Sequence, residues 1–193
     1  MAIHYSKFST HWNYYLAIEQ DLMKIARFIE FCADNERTYS IELAHILLAA
    51  TSEVDVLLKE LCKLLGTDDD AGIQDYRKAL QEADEHWCQS LLREQVIIPR
   101  YNLILNPWEN WQDGGEAVPD WWTANNKVKH HRATSYHLAN LQNVLNAVSA
   151  LLLVNLFSVQ PSFSSPDGGL FKLESPKLLE PSSGIHSYGW MYR

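Results

Sequence analysis

Leu43, Ala44, Leu47, Leu48, Thr51, Val54, Leu58, Leu61 and Leu65 fall along one face of a helix. A second series follows the same i, i+3, i+4, i+7 rule: Leu138, Leu141, Val144, Leu145, Val148, Leu151 and Leu152. Stripes this wide must be covered by other elements, because water is a poor solvent for either of them. That constraint commits the chain to helix-on-helix packing. Leu47, Leu58, Leu145 and Leu152 are read as core positions of one bundle. Ser40 precedes the first stripe as an N-cap, and Gly66 follows it as a stop.

Two further helices are expected. The first runs from about Thr10 to Asp34, with Trp12, Tyr15, Leu16, Leu22, Ile25 and Ile29 at near-helical spacing and Ser9 or Thr10 as its cap. The other spans roughly Ile73 to Glu94, through Tyr76, Leu80, Ala83, Trp87 and Leu91. Between the second and third helices, Asp68, Asp69 and Asp70 read as a solvated turn, since the spacing of a calcium loop is absent. Pro99 and Pro107 break residues 96–111 into irregular or short extended pieces. Pro119-Asp120 marks a helix start capped by Asp120. The fold class is therefore all-α, with residues 1–157 as the helical domain. Residues 158–193 form an irregular C-terminal tail rich in Pro, Ser and Gly. Its aromatics, Phe163, Phe171, Tyr188, Trp190 and Tyr192, imply that part of it docks on the bundle or on a partner.

The formal net charge of -8 argues against a broad duplex-binding surface but leaves room for one small basic cleft. Cys32, Cys62 and Cys88 are odd in number and widely spaced, as buried thiols of a reducing compartment would be. No apolar leader is visible over Met1 to Tyr15, and the apolar run Leu141 to Phe157 is interrupted by Gln142, Asn143, Asn146 and Asn155. The chain is thus read as cytoplasmic, without a membrane span. No phosphate-cradling Gly loop, nucleophile elbow, HExxH or paired CxxC occurs, and no cofactor motif is present.

One segment reverses the sign of the chain. Trp121 to Arg132 gathers two indoles, two amides and five basic or potentially basic groups into twelve positions. Asn126, Lys127, Lys129, His130 and Arg132 lie there, and His137 follows. If that helix continues unbroken, Asn126 and His130 share a face, and His137 lies two turns beyond His130. Arg offers a bidentate fork to phosphate oxygens, and His is the side chain suited to proton transfer near neutral pH. Trp122 offers a face for stacking on a base. Adjacent His130 and His131 point about 100° apart on a helix, so no metal site is read from them.

Two stretches together resemble a known pattern. The first runs from Tyr39-Ser40-Ile41-Glu42-Leu43 through Ser52-Glu53-Val54-Asp55 to Lys59-Glu60-Leu61-Cys62. The second is Trp121-Trp122, then Asn126-x-Val128-Lys129-His130-x-Arg132, then Ala139-Asn140-Leu141 through Ala147. They resemble uncharacterised bacterial proteins with a WW-x-x-YN-x-VKH-x-R pattern, which in turn are similar to HEPN-type domains (higher eukaryotes and prokaryotes nucleotide-binding). The resemblance covers roughly Thr10 to Phe157. It implies an up-and-down four-helix bundle, a homodimer, and RNA or nucleotide as ligand. It also implies metal-independent endoribonuclease activity in defence, toxin or RNA processing, or partnership with a nucleotidyltransferase. The family's active motif, Arg then a polar residue and a later His, has two placements here. One uses Asn126 and His130 with Asn125 where Arg stands in the family. The other runs from Arg132 to His137 with Ala133 in the polar place.

On this reading His130 and His137 move protons, and Arg132, Lys129 and Lys127 hold phosphate. The competing reading is a non-catalytic, dimerising interaction module. There Lys127, Lys129 and Arg132 form a solvated face, and His130 bonds a carboxylate such as Glu53 to lock the last helix onto the second. Glu53 is a candidate in both readings, as orienter of a histidine or as structural partner. A core role is the commoner one for an adjacent pair such as Trp121 and Trp122.

Overall fold

The structure, a computed structural model, describes residues 7–66, 72–112, 117–158 and 174–184. The acidic run Asp68 to Asp70 and the aromatics Phe163, Phe171, Tyr188, Trp190 and Tyr192 lie outside them. Among the described residues there are seven α-helices and one small three-stranded sheet. The protein is mostly helical, as the stripes require; two strands of the sheet are short extended pieces within residues 96–111, as expected there, and the third, Glu180–Pro181, is an addition.

Helix α1, Lys7–Ile25, buries Trp12, Tyr15, Ile18, Leu22 and Ile25. It begins before Ser9 and Thr10, so neither is its cap. It also ends nine residues short of Asp34. The chain tightens through Phe28 N–H to Ile25 O at 2.8 Å. It then turns so that the buried Phe31 packs on Tyr101, with ring centroids 4.9 Å apart. Helix α2, Ile41–Leu64, is capped by Ser40, whose Oγ accepts Leu43 N–H at 3.1 Å. Gly66 takes φ +85° just beyond its end, a conformation glycine adopts without a Cβ penalty.

The expected third helix is two. Helices α3, Ile73–Ala83, and α4, Glu85–Arg93, meet at Asp84, which has extended φ and ψ. The Asp84 carboxylate accepts Trp87 N–H at 2.9 Å, so a residue that competes well as a cap divides the apolar series. Strands β1, Val96–Ile98, and β2, Leu103–Leu105, form an antiparallel hairpin around the Pro99–Tyr101 turn. Strand β3, Glu180–Pro181, adds to the other edge of β1.

Helix α5, Asp120–His130, starts after Pro119, so Asp120 sits in the first turn and is not the cap. There its charge still complements the positive helix end. A four-residue helix α6, Arg132–Ser135, and a 3-10 turn, Tyr136–Leu138, lead to α7, Leu141–Ser158. Asn140 Oδ1 accepts Asn143 N–H at 3.0 Å as the α7 cap.

Helices α2 and α7 form the most extensive pair in the molecule. Their starts are tied together: Thr38 O accepts Leu141 N–H at 2.9 Å and Glu36 O accepts Gln142 N–H at 3.1 Å. Two helices that begin side by side and pack along their lengths run in the same direction. Both α1 and α5 pack on this pair. Leu47, Leu58, Leu145 and Leu152 are all buried there. Leu58→Ala and Leu152→Ala should each cost about 2–5 kcal/mol, because each leaves a cavity lined by two or more helices. Urea unfolding checks this, and near-neutral midpoints would remove both from the core.

Candidate functional site

Helix α5 has two unlike faces. Trp121, Ala124, Asn125 and Val128 are buried, while Asn126, Lys127, Lys129 and His130 are exposed. The buried face is anchored by indoles. Trp108 stacks on Trp111 at 5.2 Å and meets Trp121 edge-on at 5.4 Å; Trp121 meets Trp122 at 5.8 Å. Trp121 Nε1 donates to Pro107 O at 2.6 Å. Trp121 is thus core, and Trp122 is half-buried beside it. The cluster fixes the first turns of α5 and leaves the cationic turns on the surface.

The helix does not continue to His137. Backbone torsions at His131 (φ −133°, ψ 43°) end it one residue after His130. The Tyr136–Leu138 turn packs back against α5, so His137 returns toward the helix and does not extend its line. His130, His131, Arg132 and His137 are exposed, as are Lys127 and Lys129. Among the described residues none of these six side chains forms an ion pair. Lys127, Lys129 and His130 lie in the last turn of α5, where cations complement the helix dipole. Their heads stay solvated and available to an anion.

Glu53 is elsewhere. Its Oε1 lies 2.5 Å from His11 Nδ1, and Glu60 Oε2 lies 3.4 Å from His11 Nε2. Glu53 therefore joins α2 to α1, not to His130. Asp55, two residues further along α2, is half-buried and accepts a 3.0 Å hydrogen bond from Tyr76 Oη. The His11–Glu53–Glu60 group was missed in the sequence. The available signal was that Glu53 and Glu60 lie seven apart on α2, two turns along one face. Among the described residues no cluster of three His, Cys, Asp or Glu side chains is arranged to hold a metal ion.

A second buried carboxylate, Glu19, holds the C-terminal segment. It accepts N–H bonds from Lys177, Leu178 and Leu179 at 3.0–3.2 Å and the Tyr15 hydroxyl at 3.1 Å. Trp12 Nε1 donates to Glu174 O at 2.9 Å on the same strap. Burial, then the Glu19 charge, pushes the Tyr15 hydroxyl far above its ordinary value.

The three cysteines are free. Burial, then Cys88, raises the Cys62 thiol to about 12, and burial raises Cys88 to about 11. Thiols so far from ionisation are packing groups, not nucleophiles. No protein-family model, curated protein or solved structure matches this chain. What the surface can do therefore follows from its own residues.

Two outcomes are expected. Glu53→Ala and His11→Ala should each destabilise by about 1–3 kcal/mol, with strong non-additivity in the double variant. Additive losses in a double-mutant cycle would dissolve the pair. The second outcome concerns alkaline pH. Cys62, Cys88, Tyr15 and Tyr76 all ionise at higher pH when folded. Above about pH 9 the unfolded chain releases these protons first, so it binds fewer than the native state and stability falls as pH rises. Denaturant midpoints measured from pH 8 to 11 should decline, and a flat profile would contradict the burial of these groups.

Proposed function

We propose that this chain is a HEPN-like protein that binds RNA or a nucleotide through the exposed cations of α5, α6 and the turn that follows. One observation carries the reading. In a chain of formal charge -8, Lys127, Lys129, His130, Arg132 and His137 stand exposed without an internal counter-charge among the described residues. An uncompensated cation cluster on an acidic protein is a local attractor for phosphate. In the interaction-module reading the same cations form a solvated face, but Glu53, the carboxylate offered there to His130, is paired with His11 instead.

The finer architecture belongs to the same proposal: α1, α2, α5 and α7 are the four helices of an up-and-down bundle. Second and fourth helices of such a bundle run parallel, as α2 and α7 do. The protein is cytoplasmic and a homodimer. Its two-fold axis brings two copies of the α5 surface together, so that each protomer contributes cations to one RNA strand. In the cleaving form, one of His130 and His137 takes the 2′-hydroxyl proton as O2′ bonds to phosphorus, the other protonates the 5′-oxygen as the P–O5′ bond breaks, and Arg132 stabilises the charged phosphate. A nucleotidyltransferase is the protein partner in keeping with the resemblance.

RNA affinity should fall with added salt, since each neutralised phosphate releases counterions. Arg132→Ala should weaken binding and flatten the log–log salt slope by roughly 0.7–1, with the melting temperature unchanged. His130→Ala should abolish cleavage and retain binding. Fluorescence anisotropy and thermal melting on the same variants check all three. A parent protein without RNA affinity, with both variants melting early, would end the reading.

A further inference from the structure

Tyr39 precedes α2 and is half exposed, and its ring stands edge-on to Tyr136 with centroids 5.6 Å apart at 83°. Tyr136 belongs to the turn that carries His137, and its own ring is half-buried. Tyr39 is also fixed by its backbone, through the antiparallel bridge to Asn140. The backbone is therefore held by the bridge and the ring by one aromatic contact, while about half of the residue stays exposed to solvent. An aromatic held in this way is preorganised, since little rotamer freedom remains to be lost on stacking.

Cations are carried by the elements around Tyr136. Arg132 lies four residues before Tyr136, about 6–8 Å along helical backbone. His137 is adjacent in sequence, and α5, which carries Lys127 and Lys129, packs on the same turn. Arg37, two residues before Tyr39, is exposed as well. Glu36 and Glu42 flank Tyr39 on the α2 side and repel phosphate there. The favourable track thus leads from Tyr39 toward α6 and α5.

We infer that Tyr39 is a base-stacking platform beside the phosphate site, and that the ligand is single-stranded RNA with an unpaired base on the Tyr39 ring. The inference rests on the phosphate-binding reading above and specifies its substrate. A duplex keeps its bases stacked internally and cannot offer a free face to Tyr39, whereas a single strand can. Cations alone take any polyanion. The aromatic adds discrimination for unpaired bases, and stacking is tolerant of which base is offered.

The test uses the full chain, a labelled single-stranded oligouridine, the same strand annealed to oligoadenine, and inorganic polyphosphate as a competitor that has charge but no bases. The parent protein should bind the single strand more tightly than the duplex. Tyr39→Phe keeps the ring and should bind as the parent does. Tyr39→Ala should weaken oligouridine binding roughly tenfold to a hundredfold, while the polyphosphate affinity stays unchanged. Tyr39→Leu keeps apolar contact with Tyr136 and lacks the aromatic face, so it should show the same loss even if the alanine variant melts early. Arg132→Ala should weaken both ligands. If Tyr39→Ala and Tyr39→Leu bind oligouridine as the parent does while Arg132→Ala loses it, stacking is overturned and the phosphate site stands. If the parent binds neither oligouridine nor polyphosphate, the phosphate site falls and the stacking platform falls with it.

Discussion

Helix α7 has almost no face for water. From Ala147 to Ser158 every residue is buried, and Asn155 Nδ2 turns back to Leu151 O at 3.0 Å. A helix apolar on all sides must be enclosed, and the rest of the fold is arranged to enclose it. It is long and apolar enough to cross a membrane by length and composition, yet α1, α2, α4, α5 and β2 pack around it here. The parallel contact with α2 is set at the first turn, where Thr38 and Glu36 carbonyls accept the Leu141 and Gln142 amides. These bonds fix the register of two long apolar surfaces at one end.

The cover is completed by polar groups in few places. Glu19 is buried on α1, and a buried carboxylate is tolerable only when its oxygens are bonded. Three successive backbone amides of the strap and the Tyr15 hydroxyl meet that need. Leu178 and Leu179 are buried as the strap docks, and β3 then closes one edge of β1. Helix α1 and the C-terminal segment therefore depend on each other although 158 positions separate Glu19 from Lys177.

The same division of labour shapes the candidate site. Indoles 108, 111, 121 and 122 consume the apolar half of α5, so the cationic half has only solvent to face. The sequence separated these roles incompletely. Trp121 and Trp122 are adjacent, and adjacency alone does not tell a core pair from a stacking pair. Trp108 and Trp111, which settle the matter for Trp121, lie in a segment broken by prolines whose packing has no periodic signal. Glu53 was legible as a carboxylate wanting a histidine, but eight histidines were on offer. The partner is His11, 42 positions away, and nothing local in the chain distinguishes it from His130.

Local sequence determined what is local: the apolar faces of α1 and α2, the apolar run of α7, the Ser40 cap, the Gly66 stop and the helical class as a whole. These depend on neighbours within two turns, which a sequence displays directly. Tertiary structure decided the rest. Asp84 divided one apolar series into α3 and α4, because its carboxylate could cap the second. Helix α5 stopped at His130, and the Tyr136–Leu138 turn folded back on it, setting the turn that carries His137 against α5 and Tyr136 in ring contact with Tyr39. Strand β3 and the Glu19 clamp required an amide and a carboxylate from opposite ends of the chain. Such contacts depend on which surfaces remain uncovered after the helices pack, and that is a property of the assembled core, not of any stretch of residues within it.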